Sequence, residues 1–139
     1  MAQEASEMAG WPTPSHGEFV WTEIACADAD KAQAFYENVF GWTFKHGNAA
    51  PGMDYREFST GSDKPVGGLY QIDPAWFGDN PPPAHWMIYV AVDDVDANAE
   101  LAESLGATVH KKMDIPNVGR MAIIQDPTGA MIATFKPQT

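Results

Sequence analysis

Few side chains in this sequence are equipped for chemistry, and Glu23 is the most suggestive. It stands in the run Phe19 to Cys26, whose residues alternate. Thr22, Ile24 and Cys26 share one face, and Trp21, Glu23 and Ala25 share the other. A carboxylate among aromatic rings has its charged form disfavoured by burial, which raises its pKa and suits it to act as a general base. The plainer reading is a partly buried carboxylate paired with Arg120 or hydrogen-bonded to Tyr89. Arg120 follows Gly119 in a turn. Its guanidinium could anchor an anionic ligand, or it could serve a structural ion pair. His85 sits at the start of a strand pattern, where a polar boundary residue is the ordinary reading. His16, His46 and His110 fall in tail or surface-strand contexts. Cys26 lies on the face away from Glu23, as an inert core thiol would. There is no Ser/His/Asp arrangement, no phosphate-binding loop and no dinucleotide fingerprint. The pair Gly67-Gly68 reads as a strand bend or a close backbone approach.

The elements that must position these residues can be read from periodicity and punctuation. After the first strand, Asp28-Ala29-Asp30 supplies capping side chains for a helix running to about Phe40. Ala32, Phe35, Tyr36, Val39 and Phe40 form its apolar stripe, and Gly41 ends it. Strands are predicted at Trp42–Lys45, Tyr55–Thr60 and Val66–Ile72. Residues 73–84, with Pro81-Pro82-Pro83, read as a stiff connector. The pattern then restarts: a strand at Trp86–Val92, a helix from Asp93-Asp94 to about Leu105, and strands at Thr108–Lys112, Met121–Gln125 and Met131–Lys136. Residues 1–16 read as a tail, with Trp11 as its one large apolar residue and a candidate pin to the body.

The restart is an internal repeat. Asp28-Ala29-Asp30 corresponds to Asp94-Val95-Asp96, and Gly41 to Gly106. Each half reads strand–helix–strand–strand–strand, with boundaries at 17–72 and 85–139. Each half places its helix on one sheet face and leaves the other open. In the fifth strand Ile88, Val90 and Val92 should face the helix, and Met87, Tyr89 and Ala91 the open side. Trp21, Tyr70, Trp86, Met87 and Tyr89, with Arg120, are the candidate ligand contacts, because an apolar, aromatic lining with a few polar groups is what a small-molecule site requires.

Composition bounds the function. At 139 residues and 45% hydrophobic content the chain is one ordinary domain that needs no disulfide, and its single cysteine provides none. Eight basic against 19 acidic residues give a net charge of −11, which argues against nucleic acid and against anionic membrane surfaces. With no basic, apolar leader, the expected compartment is the cytoplasm. The apolar content allows a homodimer without requiring one.

The segments Asp28…Phe35-Tyr36…Phe40-Gly41-Trp42, Asp94-Val95-Asp96-Ala97…Gly106-Ala107 and Asp126-Pro127-Thr128-Gly129-Ala130 resemble the vicinal oxygen chelate superfamily of glyoxalases, bleomycin-resistance proteins and extradiol dioxygenases. Trp21-Thr22-Glu23 and Val118-Gly119-Arg120 look most like its bacterial lactoylglutathione-lyase-like, predicted-hydroxylase subgroup. The resemblance implies an α+β fold of two tandem βαβββ modules, with curved sheets around a shared cleft. It also implies metal-ligand positions. Here these carry Trp21, Met87 and Ala133, and a fourth falls on Gly68–Tyr70. Trp21 and Ala133 offer no lone pair, the Met87 thioether suits soft Cu(I) rather than Mg, Mn, Ni, Fe or Zn, and Gly68–Tyr70 holds no His or carboxylate. The expectation is therefore a metal-free, cofactor-free domain that binds or acts on a small hydrophobic or aromatic molecule, anionic ones included. Two alternatives stay open. One is a metal-dependent lyase or dioxygenase with relocated ligands. The other is a non-catalytic interaction module.

Overall fold

The computed structural model describes residues 13–47 and 52–138. Most of the sequence-predicted tail, Trp11 included, lies outside the described residues. The chain divides into two compact units. The first module runs from Trp21 to Met87. The second runs from Ile88 onward and includes the residues just before Trp21. Those residues belong to it through the backbone: Gly17 N–H donates to the Ala91 carbonyl at 2.7 Å, and Ala91 N–H donates to the Glu18 carbonyl at 2.8 Å.

In the first module β1 (Phe19–Cys26) leads to α1 (Ala29–Phe40), then β2 (Thr43–His46), β3 (Tyr55–Ser59) and β4 (Gly67–Gln71). Its strand order is β2-β3-β4-β1. β1 and β4 run parallel, with Glu23 opposite Gly68 and Ala25 opposite Tyr70, while the other pairs are antiparallel. The second module repeats this with β5 (His85–Ala91), α3 (Val95–Ser104), β6 (Thr108–Ile115), β7 (Gly119–Gln125) and β8 (Met131–Pro137). Its order is β6-β7-β8-β5, with β5 and β8 parallel. This is the α+β fold of two βαβββ modules.

The helices begin where the aspartates are. The Asp28 carboxylate accepts the Lys31 N–H at 3.0 Å, and that of Asp94 accepts the Ala97 N–H at 3.0 Å. Gly41 closes α1 in the left-handed region at φ 73°, with its N–H on the Glu37 carbonyl. Beneath α1, Ile24, Cys26, Ala29 and Leu69 form a core joined by Ala32, Tyr36 and Phe44. Fully burying a side chain the size of Leu69 contributes roughly 1.5–3 kcal/mol. The second core is Val92, Val95, Ala122 and Ile124.

Two expectations need correction. Phe35, Val39 and Phe40 were expected to pack inward, yet all three are more than half exposed. The helix lies close to its sheet through the small residues Ala29 and Ala32, so only a narrow strip of it is covered. The connector also holds a one-turn helix, α2 (Pro74–Phe77). The Asp73 carboxylate accepts the Ala75 N–H at 2.9 Å, and Pro74 stands at the first position, where a missing N–H costs nothing.

Candidate ligand-binding face

The first module carries its chemistry on the face away from α1. Trp21, Glu23 and Ala25 lie there by alternation with the core residues Ile24 and Cys26. Tyr55, on β3, reaches the same face. Its hydroxyl donates to Glu23 Oε2 at 2.6 Å and accepts the indole N–H of Trp21 at 2.9 Å. The result is a directed chain, Trp21 to Tyr55 to Glu23, that holds the carboxylate in one place.

Two adjacent glycines make room for this. A Cβ on Gly68 would run into the Tyr55 hydroxyl, and one on Gly67 would run into the Phe58 ring. β3 thus presses one ring against each face of β4, and each ring takes the volume a side chain on β4 would need. Glu57, next but one to Tyr55 on β3, is 3% exposed. Lys45 lies opposite it on β2, with Nζ 3.9 Å from the carboxylate. Tyr70 stacks on Phe77 of α2, with centroids 6.2 Å apart and planes 14° from parallel. Burial, and then the Glu23 charge, push its phenol well above the ordinary tyrosine value, so it remains a neutral hydroxyl donor. Cys26, on the core side, donates its thiol hydrogen to the Tyr70 carbonyl at 3.3 Å. Burial raises its pKa, which leaves the thiol protonated and unreactive.

The other sequence-predicted contacts lie elsewhere. Trp86 is on the helix side of the first module, where its ring meets Tyr36, Trp42 and Phe58 edge-on. It alternates with Met87, so the two cannot share a face. Met87 is buried. Tyr89 is buried in the second module with its hydroxyl 3.9 Å from Met121 Sδ. Arg120 is consumed by structural pairing. Its Nε and Nη2 donate to both oxygens of Asp96 at 3.1 and 3.0 Å, and its Nη1 donates to Asp114 at 3.1 Å. Asp96 sits in the first turn of α3, so this guanidinium brackets strand to helix and is not aimed at a ligand.

Tyr55 and Arg56 were missed from sequence. Arg56 repeats the Arg120 arrangement in the first module, donating to Asp30 in the first turn of α1 at 2.8 Å, to Asp54 and to Gln33. The repeat itself held a signal for it, because an arginine on the seventh strand facing the Asp96 turn implies one on the third strand facing Asp30.

This architecture and the residues on it define the class. The profile of the Glyoxalase/Bleomycin resistance protein/Dioxygenase superfamily matches residues 18–134, and the chain belongs to that superfamily. Among curated relatives it is 41% identical over 122 residues to a Mycobacterium tuberculosis protein named "Putative glyoxylase CFP32", covering 87% of this chain and 44% of that one. It is 32% identical over 130 residues to the anthracycline biosynthesis protein DnrV of Streptomyces peucetius, covering 86% and 47%. The chain spans about half the length of the curated relatives it matches. Methylmalonyl-CoA epimerase from Mycobacterium tuberculosis superposes with a TM-score of 0.61 at 17% identity over 94% of this chain and 95% of that one. An extradiol ring-cleaving dioxygenase from B. fuscum also gives 0.61 at 17%, over 92% of this chain and 34% of its own. These two share the fold.

The superfamily's metal does not fit the residues present. Trp21 uses its only polar atom as a donor to Tyr55. Ala133 has no donor and is fully buried, and Gly68 is filled by Tyr55. Met87 offers a thioether, a poor ligand for hard divalent ions. Among the described residues no three His, Cys, Asp or Glu side chains gather as a metal site. No helix among them is long and apolar enough to cross a membrane.

Proposed function

We propose that the face of the first module away from α1 binds a small, flat, hydrophobic or aromatic molecule without a divalent metal, with Trp21 as a ring contact and Glu23 as the polar anchor and candidate proton acceptor. The observation that carries this is the Trp21–Tyr55–Glu23 chain, which builds a fixed carboxylate beside aromatic surface. Oriented donors around one carboxylate are the mark of a prepared site, since they hold it in one position before any ligand arrives. DnrV, named for anthracycline biosynthesis, suits a ligand class with fused rings. Membership of the lactoylglutathione-lyase-like subgroup, and a role for Tyr70 in the same binding event, are parts of this proposal.

The test is a ligand titration followed by tryptophan fluorescence, in wild type and in Trp21→Ala. Loss of the indole should weaken binding by about 2 kcal/mol or more, as truncated aromatic anchors do. The denaturation midpoint should fall by less than the roughly 3–5 kcal/mol expected of a core tryptophan. Metal analysis of protein purified without chelator should find far less than one equivalent. A full equivalent of tightly held Ni, Zn, Fe or Mn would overturn the reading.

A second reading, an interaction module that pairs with another copy of itself, is favoured by one observation. Phe35, Phe40 and Trp86 are exposed on the helix side of the first module, where Tyr36 packs against all three. A molar mass that stays monomeric across concentration in light scattering would remove it.

A further inference from the structure

The Tyr55 hydroxyl is met by a donor and an acceptor at one point. The indole N–H of Trp21 reaches it at 2.9 Å, and it donates to Glu23 Oε2 at 2.6 Å. This pair accommodates a group that gives a hydrogen and accepts one on the same atom, as a hydroxyl does. An ammonium has no lone pair for the indole. A carboxylate, an ether or a ketone has no hydrogen for Glu23.

The same ring closes the face. Gly68 lies opposite Glu23 on β1 and opposite Glu57 on β3, and a Cβ there would meet the Tyr55 hydroxyl. Ala25, Tyr55 and Glu57 are buried, and Lys45 lies on the same face with its Nζ 3.9 Å from the Glu57 carboxylate. A molecule that is to reach Glu23 beside Gly68 must therefore take the place of the Tyr55 ring.

We infer that Tyr55 is an internal stand-in for the ligand: its phenol closes the site, and a ligand with an aromatic hydroxyl enters by displacing that side chain and taking over its hydrogen bonds to Trp21 and Glu23. This rests on the reading that the face binds a flat ring, and adds the group on that ring and the gate it must open. The Tyr55 carbonyl accepts the Gly47 N–H at 3.0 Å, and the residue pairs with Tyr70 on β4. With the backbone held in this way, the exchange is a rotation of the side chain and leaves the strand in place. Until a ligand arrives, the phenol spares two half-buried polar groups the cost of lacking a partner. The gate in turn lowers the apparent affinity by the fraction of molecules in which it stands open.

The probes are 2-naphthol and 2-methylnaphthalene, which differ in the hydroxyl, titrated by calorimetry into the full chain in wild type and in Tyr55→Ala. Wild type should bind 2-naphthol at least about tenfold more tightly than 2-methylnaphthalene, as two hydrogen bonds to waiting partners allow. Tyr55→Ala removes the gate and should bind 2-naphthol at least about tenfold more tightly than wild type does. If Tyr55→Ala does not fold, Tyr55→Leu makes the same comparison, and the wild-type ranking stands on its own. Equal affinity of wild type for the two probes overturns the hydroxyl assignment and leaves aromatic binding standing. A variant that binds 2-naphthol no better than wild type overturns the gate. Binding by the variant alone makes Tyr55 a permanent plug, and binding by neither protein leaves no site at all. Either of these overturns the aromatic-ligand reading, and this inference with it.

Discussion

Asp28 and Asp94 cap their helices alike, and Asp30 and Asp96 each receive an arginine from a strand of the same module. On the helix side the two modules are close copies. On the other side they have diverged. The first module carries Glu23, Tyr55 and Glu57, and the second carries Ala91, Met121, Ala133 and Phe135, all buried and all without charge. Helix docking is the same in both halves, whereas the opposite faces differ: one carries carboxylates and a tyrosine, the other uncharged packing residues.

The sharpest way to break this contrast is to put a carboxylate where the second module has none. Ala133 is fully buried, with neighbours Tyr89 and Ile123 across its two ladders. Ala133→Glu should cost about 3 kcal/mol or more, because an unpaired charge would be taken out of water. A denaturation midpoint unchanged from wild type would mean that the second face tolerates chemistry as well as the first. In the first module, Tyr55→Phe removes the donor to Glu23 and the acceptor of Trp21 together. It should cost about 1–3 kcal/mol by urea melt, and the indole emission should shift as its N–H loses that partner.

Smaller effects test the shared side. The Arg56 side chain is 12% exposed and that of Arg120 is 34%. Arg56→Met should therefore destabilise by roughly 1–2 kcal/mol. The more solvated Arg120→Met should cost less than that. Equal effects would erase the ranking that burial imposes. Smallest is the acid response. Hydrogen bonds from the arginines hold Asp54 and Asp96 below the usual carboxylate range. A lowered folded-state pKa stabilises the protein above the unfolded value near 4, and that contribution fades as pH falls through the folded value. A melt series from neutral pH downward should be flat until about pH 5 and then decline. The decline should be shallower in the Arg56→Met, Arg120→Met double variant.

The repeat, the helix caps and the parity of β1 were all legible in the sequence, because each depends on neighbours a few residues away. Ile24 and Cys26 do face α1, as alternation required. What was hidden depends on strand order. Tyr55 is 32 residues from Glu23. Nothing local says that β3 will lie one strand removed from β1, across a glycine that lets a ring through. The structural ion pair foreseen for Arg120 is present, but its partner Asp96, 24 residues away on a helix, was hidden for the same reason. Trp86 alternates with Met87, and its ring lies with Tyr36, Trp42 and Phe58 on the helix side, a placement that again depends on contacts far along the chain. Phe35, Val39 and Phe40 show the limit of periodicity: an apolar stripe marks a helix, but its width does not say how much of it the sheet covers.

Gly68 has a consequence for how this site can change over generations. The superfamily places a metal ligand on the Gly68–Tyr70 stretch, and here the room for one at Gly68 is occupied by the Tyr55 hydroxyl. A single substitution at Gly68 towards histidine or glutamate meets that ring before it meets any metal. The ring would have to leave first, and its departure strips Glu23 and Trp21 of their hydrogen-bond partner. The order of mutations is therefore constrained. A lineage that settled on glycine and tyrosine at these two positions cannot return to a metal ligand here in one step without passing through a less stable protein. Gly68 acts as a ratchet.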